Sequence, residues 1–163
     1  MNRSGGIKKT FVASLTAAAA AGSAASTPSL TWRDVRQVAI HCNVQDERSG
    51  HSEALSRQLC ERIHGLAASG APVPLRVVGF GDRALTAPDV VTLAVQGSTV
   101  GAESGKTLLF TIRPHRVSAD QPAELFGSTL RAVPLSAPDP AIEQALAEVL
   151  PWKAQALGAR PVR

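Results

Sequence analysis

The sequence predicts an α+β two-layer sandwich, with a mostly antiparallel sheet of four to five strands and two helices on one face. Stretches in which apolar and polar residues alternate indicate half-buried strands. Two longer stretches, with apolar residues every three or four positions, indicate helices. These elements follow the order β-α-β-β-β-β-α, and a run of consecutive strands with two helices favours packing of both helices on one sheet face.

The first strand and the first helix are predicted within residues 36–68. In the first strand, apolar side chains alternate with polar ones. The apolar ones share one face of the strand and are Val38, Ile40, Cys42 and Val44. A polar turn follows. After it, apolar residues recur every three or four positions, as on one face of a helix, and they are Leu55, Leu59, Ile63 and Leu66. We therefore expect this helix to extend to about Ala68.

Further strands are predicted at residues 75–80, 90–99, 107–113 and 128–135. The second and third of these form a hairpin, which is the clearest local feature of the chain. Pro134 places the last strand at a sheet edge because proline cannot donate a ladder hydrogen bond. The final helix is expected to begin at Asp139, which can cap it, with Pro140 in its first turn, and to end at Pro151.

Residues 1–25 have the three-part pattern of a secretory signal peptide. A basic start, an uncharged apolar stretch from Phe11 to Ala21 and several small residues follow one another, so we expect cleavage after Ala25. The alternative is an alanine-rich surface helix of a cytosolic protein. The apolar stretch is too short to span a membrane, and no cysteine follows it, so neither a membrane span of the mature chain nor a lipid anchor is predicted. The expected organisation is a lead-in at 26–34, one domain at 35–152 and a flexible tail at 153–163.

Removal of the leader changes the charge of the chain. The full sequence has 17 basic and 13 acidic residues, a net charge of +4. Three of the basic residues lie in the leader, which leaves 14 against 13, or +1. The remaining basic residues are scattered, so the sequence predicts neither a nucleic-acid-binding face nor a polybasic membrane surface.

Cys42 and Cys60 are the two cysteines of the chain. In an exported protein, two thiols favour a disulfide over a metal site. A zinc site formed by both cysteines with His64 is the alternative, but it needs a fourth ligand. His41 cannot supply this ligand, because strand alternation directs it away from the face that carries Cys42.

Two patterns associated with enzymes occur in the sequence. Gly101–Thr107 resembles a phosphate-binding loop, but Val100 stands where the motif needs glycine, and a predicted strand follows where it needs a helix. We interpret this segment as a hairpin turn and predict no cofactor. His51 lies near three acidic residues, Asp46, Glu47 and Glu53, a combination that a hydrolase could use. Acidic residues are also favoured at a helix start by the helix dipole.

The sheet face directed away from the helices carries polar side chains. Strand alternation predicts on this face His41, Asn43, Thr92, Gln96, Thr111, Arg113 and Arg131. Such a face is either ordinary solvated surface, which antiparallel sheets commonly have, or a recognition surface. As a recognition surface it would bind a protein partner through Arg113, because a guanidinium group binds carboxylates bidentately and stacks on rings.

Four segments resemble, in order and spacing, the small export-side α/β domains found at the N-terminus of TolB, in the curli secretion lipoprotein family and in auxiliary lipoproteins of ABC transporters. They are RQVAIHCNV, the helix that follows, the hairpin from Val90 to Arg113, and the closing AIEQALAEVL. The resemblance covers most of the mature chain and implies envelope assembly or transport support through protein contacts. The chain departs from these families in having no lipid-attachment cysteine and no partner domain, and no site residue is transferred.

We therefore expect a periplasmic or secreted, non-enzymatic accessory domain that binds an unidentified envelope protein. One alternative is a small periplasmic hydrolase that uses the acidic cluster around His51. Another is a solute-binding module with a pocket between the sheet and the helix ends. A deep pocket with converging polar groups would favour one of these alternatives.

Overall fold

A computed structural model describes residues 30–102, 105–117 and 127–158. The predicted signal peptide, its cleavage after Ala25 and residues 26–29 of the lead-in lie outside the described residues, as does the end of the tail from residue 159. The helices are α1 (Glu53–Ala68), α2 (Asp139–Val149) and α3 (Pro151–Gly158). Two 3₁₀ turns occupy Leu30–Trp32 and Arg83–Thr86.

The described strands form one mixed sheet. They are β1 (Gln37–Asp46), β2 (Gly50–His51), β3 (Leu75–Val77), β4 (Val90–Val100), β5 (Thr107–His115) and β6 (Arg131–Pro134). The spatial order is β2-β1-β4-β5-β6, and β3 pairs with β1 beside β2. The predicted α+β sandwich and its element order are therefore confirmed, with β2 and α3 as additional elements.

The centre of the described sheet is parallel, which the sequence did not predict, although three of its five strand pairings are antiparallel. β1 runs parallel to β3 and, over ten residue pairs, parallel to β4, whereas the predicted β4–β5 hairpin is antiparallel. A helix between two strands returns the chain to its starting end, so the strand after α1 runs parallel to β1. The segment after β3 returns the chain once more, across the face away from the helices, before β4 begins.

The main core lies between the sheet and the two longer helices. Its fully buried members include Ile40, Leu93 and Phe110 from the sheet, Ile63 from α1 and Ile142 from α2. On the opposite face, a second small cluster forms where the 3₁₀ turn at Arg83–Thr86 covers the sheet. Its buried members are Ala39, Val78, Ala84 and Val90. This face is therefore covered at one end, which alternation alone did not predict.

The start of α2 and the segment after it differ from the prediction. Pro138, and not Asp139, is the N-cap, and Asp139 lies in the first turn, where its carboxylate pairs with Arg62 at 3.0 Å. Pro151 follows the end of α2, as predicted, but also begins α3, because proline at the first position of a helix loses no hydrogen bond. Trp152 of α3 donates its indole N–H to the Ala67 carbonyl at 3.0 Å, which attaches α3 to α1.

Candidate functional site

One edge of β1 is occupied by other strands at its two ends and open between them. At one end, the Val78 N–H donates to the Ile40 carbonyl at 2.9 Å. At the other, the Ser52 N–H donates to the Val44 carbonyl at 2.9 Å, and the Val44 N–H donates to the Ser56 hydroxyl at 2.9 Å. Between these residues, none of the described strands pairs with this edge of β1.

Cys42 lies at the centre of this open stretch. Backbone groups of alternate strand residues point to the same edge, so the N–H and C=O groups of Cys42 point the same way as those of Ile40 and Val44. Among the residues that the structure describes, no hydrogen bond from another residue reaches either group. The backbone of Cys42 is therefore available to a further strand.

The open stretch forms one wall of a cleft of about 610 Å³, which we call the edge cleft. The opposite wall comes from α1, and the segment after β3 forms one rim. The residues that surround it are His41, Cys42, Asn43, Gln45, His51, Glu53, Ser56, Arg57, Cys60, Val77, Val78, Gly79 and Phe80. This volume is in the range of clefts that bind small molecules or short peptides.

A disulfide joins the two walls of the edge cleft. Cys42 of β1 and Cys60 of α1 are bonded, with their Cα atoms 5.7 Å apart. The predicted disulfide is therefore confirmed, and the alternative zinc site is wrong, since bonded sulfurs cannot act as thiolate ligands. His64, the third residue of that alternative, is half-buried with its ring beside the Leu75 carbonyl at 3.3 Å.

In both histidines of the cleft, the ring nitrogen Nδ1 makes the hydrogen bond to the protein. His41 Nδ1 lies 3.2 Å from the Val78 carbonyl, and His51 Nδ1 lies 3.0 Å from the side-chain oxygen of Asn43. Both partners accept, so each Nδ1 carries a proton and each Nε2 remains for another partner. Asn43 Oδ1 also accepts from Gln45 at 3.1 Å, which leaves the Asn43 amide N–H groups available. These side chains are oriented by the protein and retain unused polar atoms.

Phe80 forms an apolar rim beside these polar groups. It lies in a turn between two glycines, its side chain is 95% exposed, and its ring centroid is 6.4 Å from that of His41. Val77, at the end of β3, is also exposed on this side. A single exposed apolar residue is common at protein surfaces, but together with Val77 the ring offers a small apolar surface that a partner can cover.

Arg57 and Glu53 stand on the α1 wall one helical turn apart. Their side chains form an ion pair at 2.8 Å, with exposed fractions of 65% and 81%. An exposed pair of this kind contributes little to stability, so the guanidinium group can turn to another acceptor at small cost. The α1 wall therefore provides a cation that the fold does not need.

The residues predicted on the polar sheet face lie in two different places in the structure. His41 and Asn43 belong to the edge cleft. Gln96, Thr111 and Arg113 lie on the sheet face away from the helices, as predicted, and the register aligns Asn43 with Gln96 and Gln96 with Thr111. These side chains therefore form a strip that continues from the cleft across three strands.

Thr92 and Arg131 were predicted on this face but do not contribute to its exposed surface. Thr92 is only 6% exposed, because it lies beside Ala39 in the second cluster, which the 3₁₀ turn covers. Arg131 lies on the helix side, because it is in register with the core residue Phe110. It donates to Gln144 at 2.9 Å and to Glu148, both on α2. Arg131 therefore links β6 to α2, and alternation assigned it to the wrong face.

The acidic residues predicted around His51 are directed elsewhere. Asp46 is buried, accepts from Thr99 at 2.7 Å and pairs with Lys106 at 2.8 Å. Lys106, together with Thr99 and the N–H groups of Arg48 and Ser49, lowers the pKa of Asp46 far below its usual range, against a weaker opposing effect of burial. Glu47 accepts from the Gly101 N–H at 3.0 Å. The ring of His51 contacts the Asn43 amide oxygen.

The sequence indicated some residues of the edge cleft, and the solute-binding alternative expected a pocket between the sheet and the helix ends, but the position of the cleft was not predicted. Phe80, Val77 and Arg57 were not predicted as site residues. The one available signal was the Gly-Phe-Gly turn, in which a large apolar residue follows a strand with no core position to occupy. The open stretch of β1 depends on where β2 and β3 end, and local patterns do not determine those ends.

The described residues contain no group of three or more histidine, cysteine, aspartate or glutamate side chains arranged to bind a metal ion. Within the same ranges, no helix combines the length and apolar character needed to cross a membrane. The chain matches no protein family model, and no curated protein resembles it closely enough to be identified as a relative.

Proposed function

We propose that this chain is an exported, non-enzymatic binding domain that takes an extended segment of a partner protein into the edge cleft. The observation that carries the proposal is the open stretch of β1 at Cys42, where one N–H and one C=O group face a cleft of about 610 Å³. An extended peptide satisfies such a pair with its own backbone, which is how strand addition provides affinity independent of sequence. The expected partner is an envelope protein.

The side chains around Cys42 suit a polypeptide better than an apolar ligand. Polar atoms of His41, Asn43 and His51 face the cleft, and the ring of Phe80 lies exposed at the rim. A segment beside β1 directs alternate side chains to the two sides of the sheet. One side chain would then contact Phe80, and the next would lie over the disulfide, between β1 and α1.

The alternative of a hydrolase has less support in the geometry. His51 is oriented by an amide and not by a carboxylate, and the Ser56 hydroxyl is occupied by the Val44 N–H and the Ser52 carbonyl. A hydrolytic site needs a nucleophile, a base and an orienting group within hydrogen-bond reach. The cleft and its converging polar groups also suit a solute-binding module, which would use the same site for a small molecule. We favour a peptide because the open N–H and C=O groups of Cys42 match the backbone of a further strand.

Export is supported by two independent features. The first 25 residues have the pattern of a signal peptide, and the domain contains a disulfide, which persists in oxidising compartments. The resemblance to export-side domains of envelope proteins favours the same location. We therefore place the proposed activity in the periplasm or outside the cell.

The test is selection from a library of random heptapeptides, displayed both at a free carboxyl terminus and within a loop. We expect selected peptides to bind the wild type and to lose at least tenfold in affinity with Phe80→Ala. Leu130→Ala is the matched control, because Leu130 is 67% exposed and lies outside the cleft. If neither display yields a peptide whose binding depends on Phe80, the proposed function is wrong.

A further inference from the structure

The edge cleft is closed at both ends by the backbone of the protein. The carbonyl of Ile40 is bound by Val78, and the carbonyl of Val44 is bound by Ser52. These two positions are four residues apart, which corresponds to about 13 Å at the rise of a β-strand. A chain that pairs with β1 here has room for about three extended residues and must then leave the sheet.

This length favours the end of a chain over its middle. An internal segment must turn into the cleft and out of it again within about three residues, and both turns reduce the extended length that can pair. A chain end needs only one such exit. A terminus can therefore pair fully with the Cys42 backbone where an internal segment cannot.

The polar groups of the cleft favour a carboxyl end over an amino end. The guanidinium group of Arg57 has five N–H donors, of which one contacts Glu53. The N–H of Cys42 and the amide of Asn43 add neutral donors. Glu53 is the one carboxylate among the residues that surround the cleft, and it is already paired. An α-carboxylate would thus meet an available cation, whereas an α-ammonium group would compete with Arg57 for Glu53.

We propose that the edge cleft binds the carboxyl-terminal residues of a partner polypeptide, with the α-carboxylate at Arg57 and the preceding residue paired with the backbone of Cys42. The inference rests on the proposed peptide-binding function and specifies which part of the partner is bound. Charge-assisted hydrogen bonds from a guanidinium group to a carboxylate are among the strongest available at a protein surface. The side chain of a preceding residue is then placed against Phe80.

The experiment compares two pools of random tetrapeptides, identical except that one ends in a free carboxylate and the other in an amide. Calorimetric titration of the full mature protein gives an apparent dissociation constant for each pool. We expect the carboxylate pool to bind at least tenfold more tightly. Arg57→Gln should reduce this ratio to below threefold, whereas Arg83→Gln, an exposed arginine outside the cleft, should leave it unchanged.

The outcomes separate this inference from the proposed function. Equal binding of both pools, still weakened by Phe80→Ala, would overturn carboxyl-terminal recognition and leave peptide binding intact. Absence of binding by either pool, together with failure of the displayed library, would overturn both. A carboxylate preference that survives Arg57→Gln would also contradict the assignment, and thermal unfolding of that variant shows whether the fold is retained.

Discussion

Two polar clusters lie along β1, about four residues apart, and they differ in whether their groups are satisfied by the protein. In the Asp46 cluster, formed by Asp46, Thr99 and Lys106, the carboxylate is bound by both neighbours, and the side chains of Asp46 and Lys106 are 7% and 14% exposed. In the cleft cluster, formed by His41, Asn43 and His51, each histidine has one anchoring contact and Asn43 Oδ1 accepts from both His51 and Gln45, while other polar atoms remain directed to the cleft.

This difference separates a structural role from a binding role. Buried polar groups are retained when they are fully hydrogen-bonded, because an unsatisfied one costs free energy. The Asp46 cluster fulfils this requirement and joins the end of β1 to the β4–β5 turn. The cleft cluster is oriented but incompletely used, which is the arrangement expected of groups that await a ligand. Substitutions should therefore affect stability at the first cluster and binding at the second.

Loss of the disulfide should have the largest effect on stability. The bond joins residues 18 apart, and closing a loop of this size contributes about 3 kcal/mol, mainly by restricting the unfolded chain. We expect the Cys42→Ala, Cys60→Ala double variant to lose about that much free energy of unfolding in urea titrations. The wild type measured under reducing conditions should match it. A loss below about 1 kcal/mol would show that the bond contributes to the cleft walls and little to the fold.

Asp46→Asn should have the next largest effect, because it removes the charge that Lys106 and Thr99 bind. The pKa of Asp46 is lowered in the folded protein, so its contribution is present above the unfolded value, about 3.9, and is lost as the pH falls below it. We expect a lower melting temperature at pH 7 and a weaker decrease between pH 5 and pH 2 than in the wild type. Parallel curves for the two proteins would contradict the assignment.

Ser56→Ala should produce a moderate loss of stability at the border between the two clusters. The buried hydroxyl accepts from the Val44 N–H and donates to the Ser52 carbonyl, so the substitution leaves a backbone N–H unsatisfied. We expect a loss of about 1–2 kcal/mol in the free energy of unfolding. Ser136→Ala, at an exposed position after β6, is the matched control and should change it by less than about 0.5 kcal/mol.

Asn43→Ala should have the smallest effect on stability and a clear effect on binding. The Asn43 side chain is exposed, so we expect a change below about 0.5 kcal/mol in the free energy of unfolding. The substitution releases His51 from its orienting contact, and peptides that bind the wild type should lose affinity at least threefold. If stability falls sharply and binding persists, the distinction between the clusters does not hold.

The sequence predicted those features that depend on local periodicity. Alternation in β1, β4 and β5 and the helical spacing in α1 identified the core faces, and they placed Cys42 and Cys60 on facing elements. The parallel pairing of β1 with β4 was not predicted, because it depends on the path of the chain between β3 and β4. That path covers Ala39 and Thr92, which is why a polar residue on the outer face is buried.

The candidate site was predicted only in part for the same reason. His41 and Asn43 were identified because alternation places them opposite the core. Arg131 was assigned to the wrong face, since β6 is short and its register is set by pairing with β5. The open stretch at Cys42 results from two strands that end at different residues of β1, and it becomes visible only when the sheet is assembled.

The most direct test is hydrogen exchange of the Cys42 backbone amide, followed by NMR with and without the tetrapeptide pool that carries a free carboxylate. The free protein should exchange this amide faster than that of Val44, which is bound by Ser56. Addition of the pool at saturation should slow exchange at Cys42 at least tenfold and leave the amide of Leu93 unchanged. If the peptides bind while exchange at Cys42 is unaffected, and the changes map instead to Gln96 and Arg113, then the outer face, and not the edge cleft, is the binding site.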